Sequence, residues 1–113
     1  MAKFRIFFQD QHLKDVELLQ HQSPFRIGRR PENTLVLPDR TVSREHAVLQ
    51  YDPRRRCWLA RNLSRTNPLM INAKVIDRPV VLFDGDEMQV GLYRLRFMED
   101  REAAPSPPGS GEI

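Results

Sequence analysis

Ser43 and His46 stand three residues apart in 41-TVSREHAVLQYD-52, where polar text gives way to an alternating apolar run. A hydroxyl and an imidazole in reach of one another begin a nucleophile–base pair. Such a pair also needs a third group to orient the base and donors for the developing oxyanion. On an extended segment, residues three apart face opposite sides, so these two meet only if the chain turns. No G-x-S-x-G elbow precedes Ser43 and no third partner stands out, so the sequence predicts no hydrolase and no other enzyme. Metal chemistry is no better served. His12, His21 and His46 are scattered, Cys57 is alone, and no spacing suits zinc. The acidic 84-DGDE-87 lacks the spaced oxygen ligands of a calcium loop, and Asp84-Gly85 between apolar runs predicts a tight hairpin turn. No metal and no cofactor is expected.

The same residues suit anion binding. Gly28, after 25-FRI-27, frees the backbone at a point of close approach. Arg29 supplies a planar guanidinium able to grip two phosphate oxygens at once. Ser43 offers a hydroxyl donor and Arg44 a second positive charge. Thr66 and Asn67 add another hydroxyl and an amide that both donates and accepts. A net charge of +3 over 113 residues is compatible with an anionic partner without specifying it.

Short strands must position these groups. Phe4, Ile6 and Phe8 alternate with Arg5 and Phe7, and Phe25 and Ile27 flank Arg26. Ala47, Leu49 and Tyr51 share a face, and Tyr93, Leu95 and Phe97 interleave with Arg94 and Arg96. Each pattern describes a strand with one side on a core and the other in water. Turn residues at 23-SP-24, 38-PD-39, 52-DP-53, 84-DG-85 and Gly91 separate them, and nine prolines oppose long helices. The expected fold is all-β and a sandwich in preference to a barrel. The chain length suits one domain, placed at residues 1–100, and the Pro/Ser/Gly-rich 101-REAAPSPPGSGEI-113 reads as a disordered tail or linker. One cysteine fits a reducing compartment. The first residues, MAKFRIFFQDQ, make neither a signal peptide nor a membrane span, so a cytoplasmic location is expected.

From about Phe25 to Phe97 the sequence resembles the forkhead-associated (FHA) family of phosphothreonine-binding domains. Its 27-IGRRPENTLVLPDRTVSREH-46 matches the family's Gly-Arg, then Asn-x-hydrophobic-x-hydrophobic, then Ser-Arg-x-His. The stretch 62-NLSRTN-67 with Asn72 resembles the loop that usually reads Asp-x-x-Ser-Thr-Asn-Gly followed by an asparagine, and 82-LFDGDEMQVG-91 resembles the closing Gly-Asp segment. The resemblance implies a sandwich of two antiparallel or mixed sheets with about eleven strands. Loops at one end would hold a Thr-phosphorylated protein or peptide, which links the domain to a Ser/Thr kinase. It implies Arg29 and Ser43 on the phosphate with Arg44 assisting, Thr66 at its margin, and Asn67 on the peptide main chain. Gly28 and His46 would shape the site, with His46 a clasp that aims Ser43. Thr41, Arg40 and Arg65 are candidate readers of the peptide position three after the phosphothreonine.

The chain departs from the family at Asn67-Pro68, where Asn-Gly is usual, at Arg65 in place of serine, and at Asn72-Ala73 in place of Asn-Gly. Proline fixes φ near −65° where glycine is free, so a turn that needs that freedom has to be rebuilt. Two other readings compete. Arg54, Arg55 and Arg56 with nearby Trp58 resemble a small nucleic-acid patch, but single-strand binders need a longer basic track, so a charged hairpin tip with Trp58 packed inside is expected. A scaffold making phosphate-independent contacts is the other. Threonine occurs only at 34, 41 and 66, so residues 101–113 offer no phosphothreonine to the domain.

Overall fold

The computed structural model describes residues 1–99, and the tail expected at 101–113 lies outside the described residues. Eleven strands form: β1 (Ala2–Phe8), β2 (Gln11–Leu18), β3 (Phe25–Gly28), β4 (Leu35–Val36), β5 (Ala47–Asp52), β6 (Cys57–Asn62), β7 (Met70–Ile71), β8 (Lys74–Val75), β9 (Val80–Val81), β10 (Glu87–Val90) and β11 (Tyr93–Glu99). One 3-10 turn at Gln20–Gln22 is the only helical element among the described residues. The strands order as β2-β1-β11-β10-β7-β8 in a six-stranded sheet and β4-β3-β5-β6-β9 in a five-stranded one. The six-stranded sheet is antiparallel, and the short parallel pair β3–β4 makes the other mixed.

The alternation read from sequence decides what is inside. Phe4 and Ile6 of β1, Leu95 and Phe97 of β11, Phe25 and Ile27 of β3, and Ala47 and Leu49 of β5 join one core. Phe4 bridges the two sheets, its ring 5.9 Å from Phe97 and 6.5 Å from Phe25. Burying each such side chain contributes roughly 1.5–3 kcal/mol. Trp58 is 2% exposed and stands edge-on to Tyr51 at 5.3 Å, so it is a core residue with no face left for stacking a base. β2 shows no alternation and is mostly exposed, yet it pairs along the length of β1 with a register shift between Ile6 and Phe7.

The tight turn at Asp84-Gly85 forms, with the Asp86 N–H donating to the Phe83 carbonyl at 2.9 Å and Gly85 at φ +93°. It is not the hairpin expected from sequence. β9 belongs to the five-stranded sheet and β10 to the six-stranded one, so the turn is a corner between sheets. A two-residue hairpin forms instead at β7–β8, as it also does at β1–β2 and β10–β11, and Asn72 and Ala73 both take positive φ there, +51° and +69°, as a primed turn requires. The Asn72 side chain fixes this hairpin to the corner, accepting from the Glu87 N–H at 3.1 Å and donating to Asp86 Oδ1 at 3.0 Å. Ala73 gains nothing from its side chain there, and a Cβ disfavours that backbone region. Ala73→Gly is therefore expected to raise the urea midpoint, by an amount equivalent to about 0.5–1 kcal/mol.

Pairing places the loops. Ile27 lies opposite Ala47, and Ala47 opposite Asn62, so the connections β3–β4, β4–β5 and β6–β7 emerge at one end. The Leu92 N–H donates to Thr41 Oγ1 at 3.0 Å, which brings the β10–β11 turn to the same end. The β5–β6 tip at residues 53–56 is at the other end of six-residue strands, about 20 Å away. Ala2 pairs with Glu99 at the far end of β1 and β11.

Candidate functional site

Backbone pairing sets the site before any side chain does. Beyond β3, the Arg29 N–H donates to the Ser43 carbonyl at 3.0 Å and the Arg30 N–H to the Arg44 carbonyl at 3.3 Å. This lays residues 43–44 directly against Gly28. A Cβ at position 28 would meet the Arg44 carbonyl oxygen at 2.2 Å, so only glycine allows the approach. Buried Asn33 holds the same junction, its amide donating to the carbonyls of Arg30 at 3.0 Å and Arg44 at 2.8 Å.

The side chains then converge. Arg29 is exposed, and its Nε donates to the Val42 carbonyl at 2.9 Å, which leaves the outer edge of the guanidinium without a partner among the described residues. Ser43 Oγ lies 2.6 Å from the buried Ser64 Oγ and 3.5 Å from Thr66 Oγ1. Arg29, Ser43, Arg44 and Thr66 thus line one open depression of about 560 Å³, together with Arg40, Thr41, Val42, Glu45 and Arg65. Asn67 borders the adjoining depression of about 290 Å³, which Pro68, Met70, Val75 and Leu92 also line.

His46 is fully buried, and its Nδ1 accepts the Ser43 N–H at 3.0 Å. The neutral ring therefore carries its proton on Nε2. It takes no proton from the Ser43 hydroxyl, which faces Ser64 and Thr66 instead. The arrangement is a clasp on the Ser43 main chain, not a nucleophile–base pair. Burial holds the imidazole below the ordinary histidine pKa, and the neighbouring Asn67 backbone opposes this only in part, since Nε2 reaches no partner with hydrogen-bond geometry. A histidine whose folded pKa is depressed binds its proton more readily unfolded. Stability is thus complete above the unfolded value near 6.5 and falls as the pH drops from there through the folded value. Denaturant unfolding at stepped pH is expected to show this loss in the wild type and a smaller one in His46→Gln.

The loop with Asn67-Pro68 keeps its asparagine at the site without glycine's help. Asn62 Oδ1 accepts from the N–H groups of Ser64 at 3.0 Å and Leu69 at 2.9 Å. Ser64 Oγ accepts the Asn67 N–H at 3.1 Å, and the Asn67 amide donates to the Thr41 carbonyl at 2.9 Å. Thr41, a candidate reader, has its hydroxyl engaged by Asp39 Oδ2 and the Leu92 N–H, and Thr41 is also the residue that a Cβ at Gly91 would strike at 2.5 Å. Its hydroxyl hydrogen bond and its N–H hold the Asp39 carboxyl below its ordinary pKa, with the Arg40 charge a smaller cause. Sequence reasoning missed Asn33, Asn62, Ser64 and Asp39. All are turn formers that bond locally to backbone, and that chemistry is the signal by which they are found.

Among the described residues no group of three or more His, Cys, Asp or Glu side chains could hold a metal ion. No described helix is long and apolar enough to cross a membrane. The fold and site define a binding domain whose rigid sandwich presents arginine and hydroxyl groups on clustered loops. The chain belongs to the FHA family: the model for the FHA domain matches residues 25–91. It is 34% identical over 80 residues to the glycogen accumulation regulator GarA of Mycobacterium tuberculosis, covering 71% of this chain and 48% of GarA, so it spans about half the length of that relative. Among solved structures, Mycobacterium tuberculosis EmbR in complex with a low-affinity phosphopeptide superposes with a TM-score of 0.72 at 26% identity, covering 86% of this chain and 24% of EmbR. The Slr1951 protein of Synechocystis gives 0.73 at 26% identity over 89% of this chain and 97% of its own.

Proposed function

We propose that this domain recognises phosphothreonine in a protein partner and acts downstream of a Ser/Thr kinase, without turnover and in the cytoplasm. The observation that carries the reading is the convergence of Arg29, Ser43, Arg44 and Thr66 on one depression. A phosphothreonine brings close to two negative charges and strong acceptor oxygens. The Arg29 outer edge and the Ser43 and Thr66 hydroxyls are donors suited to those oxygens, and Arg44 adds charge. Asn67, held by Ser64 and Thr41, keeps an amide oxygen for a main-chain N–H of the peptide. Membership of the FHA family and the phosphopeptide bound by EmbR support the same ligand class. The proposed module is residues 1–100.

A nucleic-acid role draws no support from Arg54, Arg55 and Arg56. They crown the end away from the site, Arg55 is paired with Asp52, and Trp58 is buried. The deciding experiment is an NMR titration with a degenerate phosphothreonine peptide pool beside its unphosphorylated twin. Shifts at Arg29, Ser43, Arg44 and Thr66 are expected with the phosphorylated pool alone. Equal shifts with both pools would replace the reading with a phosphate-independent scaffold.

A further inference from the structure

The depression that would take the phosphate is more basic than one phosphate requires. Four arginines line it, Arg29, Arg40, Arg44 and Arg65, against the single acid Glu45. That is a net +3 on one lining, equal to the formal charge of the whole chain. None of the four is in an ion pair among the described residues, whereas Arg5, Arg55, Arg78, Arg94 and Arg96 each hold a carboxylate. Asp39 makes no ion-pair contact with its neighbour Arg40, since its carboxylate accepts from the N–H and hydroxyl of Thr41, and its charge reaches Arg40 only at longer range. Arg29 is aimed by its bond to Val42, but the side chains of Arg40 and Arg65 make no hydrogen bond or ion pair among the described residues and stand on different loops, before β5 and before β7. Thr41 and Asn67, beside and near them, are tied together at 2.9 Å, so the two loops are fixed relative to one another.

We propose that the partner segment carries a second anionic group close beside the phosphothreonine, and that Arg40 and Arg65 hold it. This rests on the phosphothreonine reading above, since a phosphate of nearly two charges on Arg29, Ser43 and Arg44 leaves the other two guanidinium groups unmatched. Carboxylate and phosphate share the required chemistry, a planar or tetrahedral set of oxygens that a guanidinium grips in pairs. The distance to be spanned is short, since extended peptide advances about 3.3–3.6 Å per residue and all four arginines share one depression. The second group therefore falls on the same short stretch of peptide as the first.

The test is calorimetric titration of the domain at physiological salt with four peptides on one scaffold. These are phosphothreonine with neutral flanks, phosphothreonine with aspartate at the flanking positions, phosphothreonine beside phosphoserine, and the acidic peptide without phosphate. Aspartate flanks are expected to tighten binding about 5-fold and the second phosphate about 10-fold or more. These gains, each taken relative to the same protein's affinity for the neutral-flanked peptide, should vanish in R40Q/R65Q. R54Q/R56Q removes equal charge from the far tip and should keep the gains. Equal affinity for neutral and acidic phosphopeptides overturns the proposal, as does a preference that survives R40Q/R65Q or falls equally in R54Q/R56Q. Failure of the underlying reading looks different: the aspartate-flanked phosphopeptide would then bind no better than the acidic peptide without phosphate.

Discussion

Arg29→Ala is expected to weaken binding of a phosphothreonine peptide by about 100-fold or more while barely moving the melting temperature. Two charge-assisted hydrogen bonds from the guanidinium edge are worth roughly 1.5–3 kcal/mol each, and every 1.4 kcal/mol is about tenfold in affinity. The fold loses little, because Arg29 is exposed and its only side-chain bond among the described residues goes to the Val42 carbonyl. Arg29→Lys separates charge from geometry: it keeps the charge but not the fork, so it should recover only part of the loss. Calorimetry on the three proteins, with thermal unfolding alongside, measures both quantities. A loss under about 5-fold in Arg29→Ala would put the phosphate elsewhere.

Gly28→Ala should damage stability and binding together. Its methyl would sit 2.2 Å from the Arg44 carbonyl oxygen and 2.7 Å from Asn33 Nδ2. Neither neighbour can yield cheaply, since that carbonyl already accepts from Arg30 and from Asn33. Relief means separating β3 from residues 43–44, which breaks the Arg29–Ser43 backbone bond that sets the distance between guanidinium and hydroxyl. The expected cost is about 3 kcal/mol, the upper end for forced overpacking. Phosphopeptide affinity should fall even at temperatures where the variant stays folded. A variant as stable as wild type with unchanged affinity would show that the strand and loop part without consequence.

How far the sequence reached depended on the kind of order involved. Strands with one wet face announced themselves, as Phe4/Ile6 and Leu95/Phe97 did, because burial imposes a period of two. β2 has almost no buried face and carried no such signal. Its place comes from pairing with β1. Asp84-Gly85 was legible as a turn but not as a corner, since the residues that make a chain reverse do not say which sheet the next strand joins. At the site, Arg29 and Ser43 are recognisable by chemistry and motif. Ser64 and Asn62 replace the freedom that glycine would give at position 68, through hydrogen bonds that have no periodicity. That is why Asn67-Pro68 read as a threat to the loop, while the folded loop holds Asn67 against Thr41.

The Ala2–Glu99 pairing has a consequence for how such a module is wired into larger assemblies. Because β11 leaves the β10–β11 turn, which touches Thr41, and runs seven residues to Glu99, the chain enters and exits at the pole opposite the loops, roughly 20 Å from them. Anything fused upstream or downstream is tethered on that pole and leaves the reading surface facing outward. The entry and exit points are also neighbours, so the domain can be spliced into a polypeptide as a side branch without stretching the main line. Evolution and the protein engineer are offered the same plug: a reader whose cable and whose socket are on opposite faces.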